Sequence, residues 1–396
     1  MHNYDVLILG GGLAYTGAEL LRNRGLKVAI VEKEEAHLGG VCLHEGCVPT
    51  KLYLERATKG QKVRLADIKK EKEELTSKLR EDIKRLLKGV DFIYGYGELV
   101  EPHTVDVEGK KFSARHIIIN TGKSYPKAPN GSHLLELEEA PQSLNLVGDD
   151  PIALEFACMF ALFGSSVNLY FDQKSLEFMH PLVKGKLLKM LKDLGINLLT
   201  PEEFKGEGAY FLYRRLPNST CVKVDMAMDE RGHLLVDKNY ETSLSDHYAV
   251  GDVNGLSETA HASRLQALSV AKKIMEGKGF YTPPYKIPYV LYTLPLSYAK
   301  VGLTKKELEE EKIEHKEVSV PFRPFAVGNI YETQDGIVLL YFDKKDFLLG
   351  AEVLCAKAQE VIASLTVSLF AELNRETMSR IAIAHPTLSE VAFLRL

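Results

Sequence analysis

The chain has little cysteine: five in 396 residues, three of which, Cys158, Cys221 and Cys355, stand singly. A zinc-type site needs a second ligand pair, and these lone residues do not supply one. Positive charge is not in excess either, since 50 Lys and Arg face 54 Asp and Glu for a net charge of −4. That balance argues against nucleic acid or an acidic membrane surface as the main partner. No apolar run is long enough to span a membrane. The opening MHNYDVLILG lacks the basic and long apolar segments of a secretory leader, so a reducing cytoplasm is the expected compartment. With 45% hydrophobic and 26% charged residues, the composition suits a globular protein of two or three domains. Lysines do cluster from Lys59 to Lys88, but they alternate with glutamates at helical spacing, which predicts a solvated helix face.

What the sequence does hold is one close pair, Cys42 and Cys47, in GGVCLHEGCVPTK. Four explanations compete: core thiols, a static disulfide, half of a metal site, or a dithiol that cycles. Gly39, Gly40, Glu45 and Gly46 around the pair do not belong to an apolar stripe, which weakens core packing. A static disulfide is out of place in a reducing compartment. The surroundings favour the cycling dithiol, with inert thiols as the alternative. A cysteine opening a helix, as Cys47 does ahead of Val48 and Pro49, is also the easier sulfur to keep ionised.

Upstream, YDVLILGGG and LKVAIVEK read as strand, turn, helix and strand. Gly10 makes the tight turn, Gly12 lets backbone approach a pyrophosphate at a helix N-terminus, and Glu32, 20 residues after Gly12, suits ribose hydroxyls. Tyr15 stands where a third glycine belongs, with Gly17 two residues later. Taken alone, the glycines also fit a plain strand-ending loop.

With YAVGDVNG around Asp252 and AHPTLSE around His385 and Glu390, these segments span nearly the whole chain. Together they closely resemble the FAD-dependent pyridine nucleotide-disulfide oxidoreductases, the family of glutathione reductase, dihydrolipoamide dehydrogenase and mercuric reductase. The resemblance implies an α/β protein. Its parts are two Rossmann-like dinucleotide-binding domains, the second one reduced, and a C-terminal α+β dimerisation domain. It implies Cys47 as the sulfur facing the flavin and Cys42 as the sulfur exchanging with substrate. Lys51, one helical turn after Cys47, would lie near the reactive flavin nitrogen and pair with Glu155. Glu155 stands in the apolar helix PIALEFACMFALF, where an unpaired carboxylate is costly; a surface position is the alternative. His385 and Glu390 match the acid–base dyad, which reaches the cysteines of the other subunit, so a homodimer with shared active sites is expected. Gly10, Gly12, Glu32, Lys33 and Gly40 match the flavin site, as do Lys51, Thr121, Gly122 and Ala260. Asp252 matches the aspartate on the ribityl chain; a turn cap is its alternative.

The departures concentrate in the second dinucleotide site. After SLNLVG the chain runs Gly148, Asp149, Asp150, Pro151, Ile152, Ala153, with a single glycine. Each acid would oppose a phosphate by about 1 kcal/mol at about 4 Å in water. Asp150 followed by Pro151 also reads as a helix that caps itself. Phe171 holds the ribose-selecting position, with Asp172 next to it, and no basic cluster for a 2'-phosphate is evident. From Gly195 to Arg215, Pro217 and Asn218 the sequence is short where the family inserts several strands. NAD(P)H use is therefore expected to be weak or absent, with electrons passing to a quinone, ferredoxin or second protein. Ordinary NAD(P)H-dependent reduction is the alternative within this class; a flavin-bearing redox sensor or scaffold is the alternative outside it.

The expected domains are 1–144 with 245–280 for FAD, 145–244 for the reduced nicotinamide-type domain and 281–396 for the interface. PPYKIPYV is the last linker. The interface segment IYETQDGIVLLYFDKKDFLLGAEVL should alternate as strands and AQEVIASLTVSLFAELN should be helical. The tail, ending at Leu396 six residues after Glu390, carries no cysteines, so mercuric reductase is the less fitting member. AHPTLSE points to a lipoyl-type or other small thiol or disulfide substrate, and the positive groups that glutathione would call for are not evident.

Overall fold

The computed structural model describes residues 2–60 and 63–394; Met1, Gln61, Lys62, Arg395 and Leu396 lie outside the described residues. Lys62 of the lysine-rich stretch and the tail end at Leu396 are thus not placed. The chain divides into two compact units. One comprises Met1–Leu52, Ala66–Lys127 and Arg214–Thr282, the other Tyr53–Leu65, Ala128–Tyr213 and Pro283–Leu396.

In the first unit, the apolar strand Tyr4–Leu9 runs parallel to Val28–Glu32 on one side and Lys110–Ile119 on the other. Val6, Leu7, Ile8 and Leu9 are all buried, the pattern of a strand covered on both faces. Asp91–Tyr94 and His247–Ala249 extend the parallel sheet, while Gly97–Glu101 and Thr104–Val107 join Lys110–Ile119 as an antiparallel flap. Helix Tyr15–Asn23 makes the crossover between the first two strands. Gly17 explains the displaced third glycine. A Cβ there would lie 2.8 Å from the Ala267 carbonyl oxygen in helix Ala260–Glu276, so the small residue serves a helix–helix contact.

Helix Leu65–Leu86 carries the lysines, mostly on its solvated side. Lys72 departs from that expectation: it is buried because Ile68, Lys72, Thr76 and Ile83 form the inward stripe at helical spacing. Residues 214–244, expected with the nicotinamide-type domain, fold with the first unit instead. Cys221, Val222, Met226 and Leu234 share a core with Leu99, Val105 and Ile117, and the Leu99 main chain bonds Cys221 and Lys223 at 2.9 and 2.8 Å.

In the second unit, a four-stranded parallel sheet places Asn197–Leu199, Ser166–Phe171, Ser143–Gly148 and Ala209–Leu212 side by side in that order. Only a 3-10 turn at Pro201–Glu203 separates its third-formed and fourth-formed strands, so the connection is as short as expected. One row of the sheet is an amide ladder, Asn168 donating to Asn145 at 3.0 Å and Asn197 to Asn168 at 2.9 Å. The interface region is a five-stranded antiparallel sheet backed by helix Ala358–Phe370. Its strand Ile337–Phe342 does not alternate: all six residues are buried. This inner strand turns Tyr341 inward, where its hydroxyl bonds the buried Glu352 carboxylate at 2.8 Å.

Candidate active site

The loop between Leu9 and helix Tyr15–Asn23 closes tightly. Gly10 has φ +103° and a Cβ on it would stand 2.4 Å from the Asn120 carbonyl oxygen; on Gly12 it would meet Asn120 Nδ2 at 2.9 Å. Gly40, φ +68°, brings its own segment against this loop, since its Cβ would lie 2.9 Å from Gly12 Cα. Glu32, at the end of the second strand, accepts the Gly11 N–H at 2.7 Å and the Lys33 N–H at 2.8 Å. Burial pushes its carboxyl pKa up, and these N–H groups oppose the shift. The Lys33 side chain is exposed beside Glu34. A backbone-lined cradle that any side chain would fill, with a carboxylate at the next strand end, fits a dinucleotide such as FAD.

At the carboxyl ends of the neighbouring strands lie the other predicted contacts. Thr121 and Gly122 follow strand Lys110–Ile119, and their carbonyls accept from Asn218 Nδ2 and N–H, both at 2.9 Å. Asp252 sits in a 3-10 turn, Gly251–Asn254, shaped by Gln266, whose Oε1 takes the Gly251 N–H at 2.7 Å and Asn254 Nδ2 at 2.9 Å. Ala260 is the first residue of the following helix. The Asp252 carboxylate faces Arg215 at 3.7 Å. Burial raises its pKa and Arg215 pulls it back. Sequence reasoning missed Asn120, Lys123 and Glu258. Asn120 was legible in principle, because it ends an apolar parallel strand, where such sheets bind ligands.

Cys42 lies in the short helix Gly40–His44 and Cys47 opens helix Cys47–Ala57. Gly46 provides the first carbonyl of that second helix, accepting Thr50 N–H at 3.0 Å. Cys42 is half-buried and Cys47 exposed. A hydrogen bond to Cys47, then burial, pushes the Cys42 thiol pKa far up, while the Lys51 charge pulls it down.

In the second unit, Glu155 is buried in helix Ile152–Leu162, with its Oε1 accepting Tyr292 N–H at 2.9 Å. The surface alternative for this glutamate is overturned, because Glu155 is itself buried and seven other residues of the helix are buried with it. His385 Nδ1 stands 2.8 Å from Glu390 Oε2, with the imidazole 70% exposed and the carboxylate 6%. The buried carboxylate thus holds an exposed imidazole ring through Nδ1.

The loop after Ser143–Gly148 is built differently. Gly148 repeats the first glycine's role, its Cβ position being 2.0 Å from the Leu212 carbonyl oxygen. Two residues on, Asp150 replaces the counterpart of Gly12, and its Oδ1 accepts Ile152 N–H at 3.0 Å. Phe171 is buried, and Asp172 Oδ1 caps the next turn through Lys174 N–H at 2.9 Å. Among the described residues no group of three His, Cys, Asp or Glu is placed to hold a metal, and no helix is long and apolar enough to cross a membrane.

Residues 4–210 match the family described as pyridine nucleotide-disulphide oxidoreductase, and residues 287–393 match its dimerisation domain. The chain belongs to this family. It is a flavoprotein disulfide oxidoreductase. It is 28% identical to the dihydrolipoamide dehydrogenase of Chaetomium thermophilum, over 98% of this chain and 89% of that protein. To the dihydrolipoyl dehydrogenase of Mycoplasma pneumoniae it is 27% identical, over 98% and 97%. Among solved structures, the HOCl-induced flavoprotein disulfide reductase RclA from Escherichia coli aligns with a TM-score of 0.88 and 25% identity over 98% of both chains. The alignment with the Chaetomium oxidoreductase runs over 451 positions, more than the 396 residues of this chain. This family member thus lacks residues that its relative has.

Proposed function

We propose that this chain is an FAD-dependent dithiol oxidoreductase acting on a lipoyl-type substrate, with little or no use of NAD(P)H. The observation that carries the second half is the Asp150 carboxylate on Ile152 N–H at 3.0 Å. A helix N-terminus attracts a phosphate through its free donors and positive end. Here the chain's own carboxylate takes that place and repels a second anion.

The chemistry assigned to the residues balances as thiol–disulfide exchange. A substrate thiolate attacks Cys42 of the oxidised Cys42–Cys47 pair, forming a mixed disulfide and releasing Cys47 as thiolate. The second substrate thiol, its proton taken by His385, attacks the substrate sulfur of that mixed disulfide. The substrate leaves oxidised and the cysteine pair is reduced by two electrons. Glu390 orients and charges the imidazole. Lys51, one helical turn after Cys47, supplies positive charge beside the cysteine pair. FAD, when bound, supplies the two-electron acceptor. The dimerisation match supports a homodimer in which His385 serves the partner's cysteines, and the free buried thiols Cys158, Cys221 and Cys355 suit a cytoplasmic setting.

Anaerobic visible-spectrum titration with NADH, NADPH and dihydrolipoamide, each at stoichiometric levels, tests the reading. Reduction by the dithiol alone is expected. Rapid bleaching by NADH would restore the ordinary NADH-linked reading, and Asp150→Gly is expected to move the protein toward it.

A further inference from the structure

Lys123 follows Gly122 in a two-residue strand paired antiparallel with Leu216–Pro217. A lysine in that place is 3% exposed, which demands compensation for its charge. Its ammonium bonds Glu258 Oε1 at 2.5 Å. The same paired strands bring Arg215 to within 3.7 Å of Asp252. Four charged groups are thus drawn together at the carboxyl end of the sheet: Asp252 from the 3-10 turn, Glu258 from the segment after it, Lys123 from the ribbon and Arg215 from just before the ribbon's second strand. Both cations favour the ionised form of Asp252, and Glu258 opposes it.

We infer that Lys123 is a positioning residue for the flavin: its buried ammonium, steered by Glu258, keeps Asp252 a carboxylate that accepts hydrogen bonds from the bound polyol. The inference rests on the assignment of Asp252 to the flavin site. Arg215 alone leaves the Asp252 carboxylate facing a buried environment with one counter-charge, and Lys123 adds the second. Glu258, 42% exposed, keeps the lysine in place and limits its effect.

The test uses the FAD-loaded protein and reads flavin release by fluorescence, as a dissociation constant measured from about pH 5.5 to about pH 8.5. Lys123→Met is expected to weaken FAD retention about tenfold at the acid end, the factor for one charge-assisted hydrogen bond, and less at the alkaline end. Glu258→Gln removes the opposing anion and is expected to hold FAD as tightly as wild type or more so, with its profile moved to lower pH. Lys123→Arg keeps the charge and should follow wild type. Both Lys123→Met and Glu258→Gln break the same ion pair, so equal losses with the same pH profile would make the pair merely structural and overturn the proposal. An Asp252→Asn variant that retains FAD normally would instead remove the underlying flavin assignment. If Lys123→Met proves insoluble, a Glu258→Gln profile moved to lower pH beside an unmoved Lys123→Arg profile still supports the proposal, and a loss of FAD in Glu258→Gln overturns it.

Discussion

A methyl group on Gly148 would stand 2.0 Å from the Leu212 carbonyl oxygen. The glycine surviving in the second loop is therefore required by the contact between Ser143–Gly148 and Ala209–Leu212, as Gly10 is required by Asn120. Gly148→Ala is expected to destabilise by about 1–3 kcal/mol through overpacking. Gly185→Ala, exposed in a helix with nothing within 4 Å of its Cβ position, should stabilise by about 0.5–1 kcal/mol. Urea unfolding of the two variants compares them.

Cys47→Ser should abolish dithiol oxidation while the protein keeps its FAD. Cys42→Ser removes the thiol that bonds Cys47 but leaves the sulfur that can ionise. Its anaerobic spectrum is expected to gain the long-wavelength thiolate-to-flavin band that Cys47→Ser lacks. Identical spectra for both variants would contradict the division of labour between them.

His385→Gln should lower dithiol turnover by about 10²–10⁴-fold, the usual worth of a general base. Glu390→Gln should cost less, because an amide oxygen still accepts from Nδ1. Co-expressing Cys47→Ser with His385→Gln chains is expected to restore turnover, since one of the two sites in the mixed dimer keeps both residues. Sites contained within single chains would stay inactive in every combination.

His247 is buried and neutral. Its Nδ1–H donates to the Ser245 carbonyl at 2.8 Å and its Nε2 accepts His103 N–H at 3.2 Å. Burial lowers its pKa from 6.5, and the neighbouring His103 and His116 add to this against Asp246. A depressed histidine pKa contributes stability that is present above the unfolded value and lost as pH falls through the folded one. The thermal midpoint should therefore drop below about pH 6.5, and His247→Phe should flatten that drop. A pH-independent midpoint in wild type would remove this role for His247.

By itself the sequence determined the chemistry-bearing segments. The βαβ opening was legible from apolar runs ending in Gly10, Gly12 and Glu32. Cys42 and Cys47 were legible because both lie in one short segment, where spacing alone limits their separation. The Asp150–Pro151 cap is a local interaction of the same kind, readable from neighbouring residue types. Tertiary structure decided whatever depends on partners far along the chain. It buried Lys72 on a stripe, drew residues 214–244 into the first unit through Leu99 and Cys221, and gave Gly17 its purpose against Ala267. It also gathered Lys123, Arg215, Asp252 and Glu258, which are scattered over more than a hundred residues. The physical reason is that hydrogen bonds and caps between near neighbours follow from local backbone preference, whereas burial and buried charge pairing depend on which distant segments the sheet registers bring side by side.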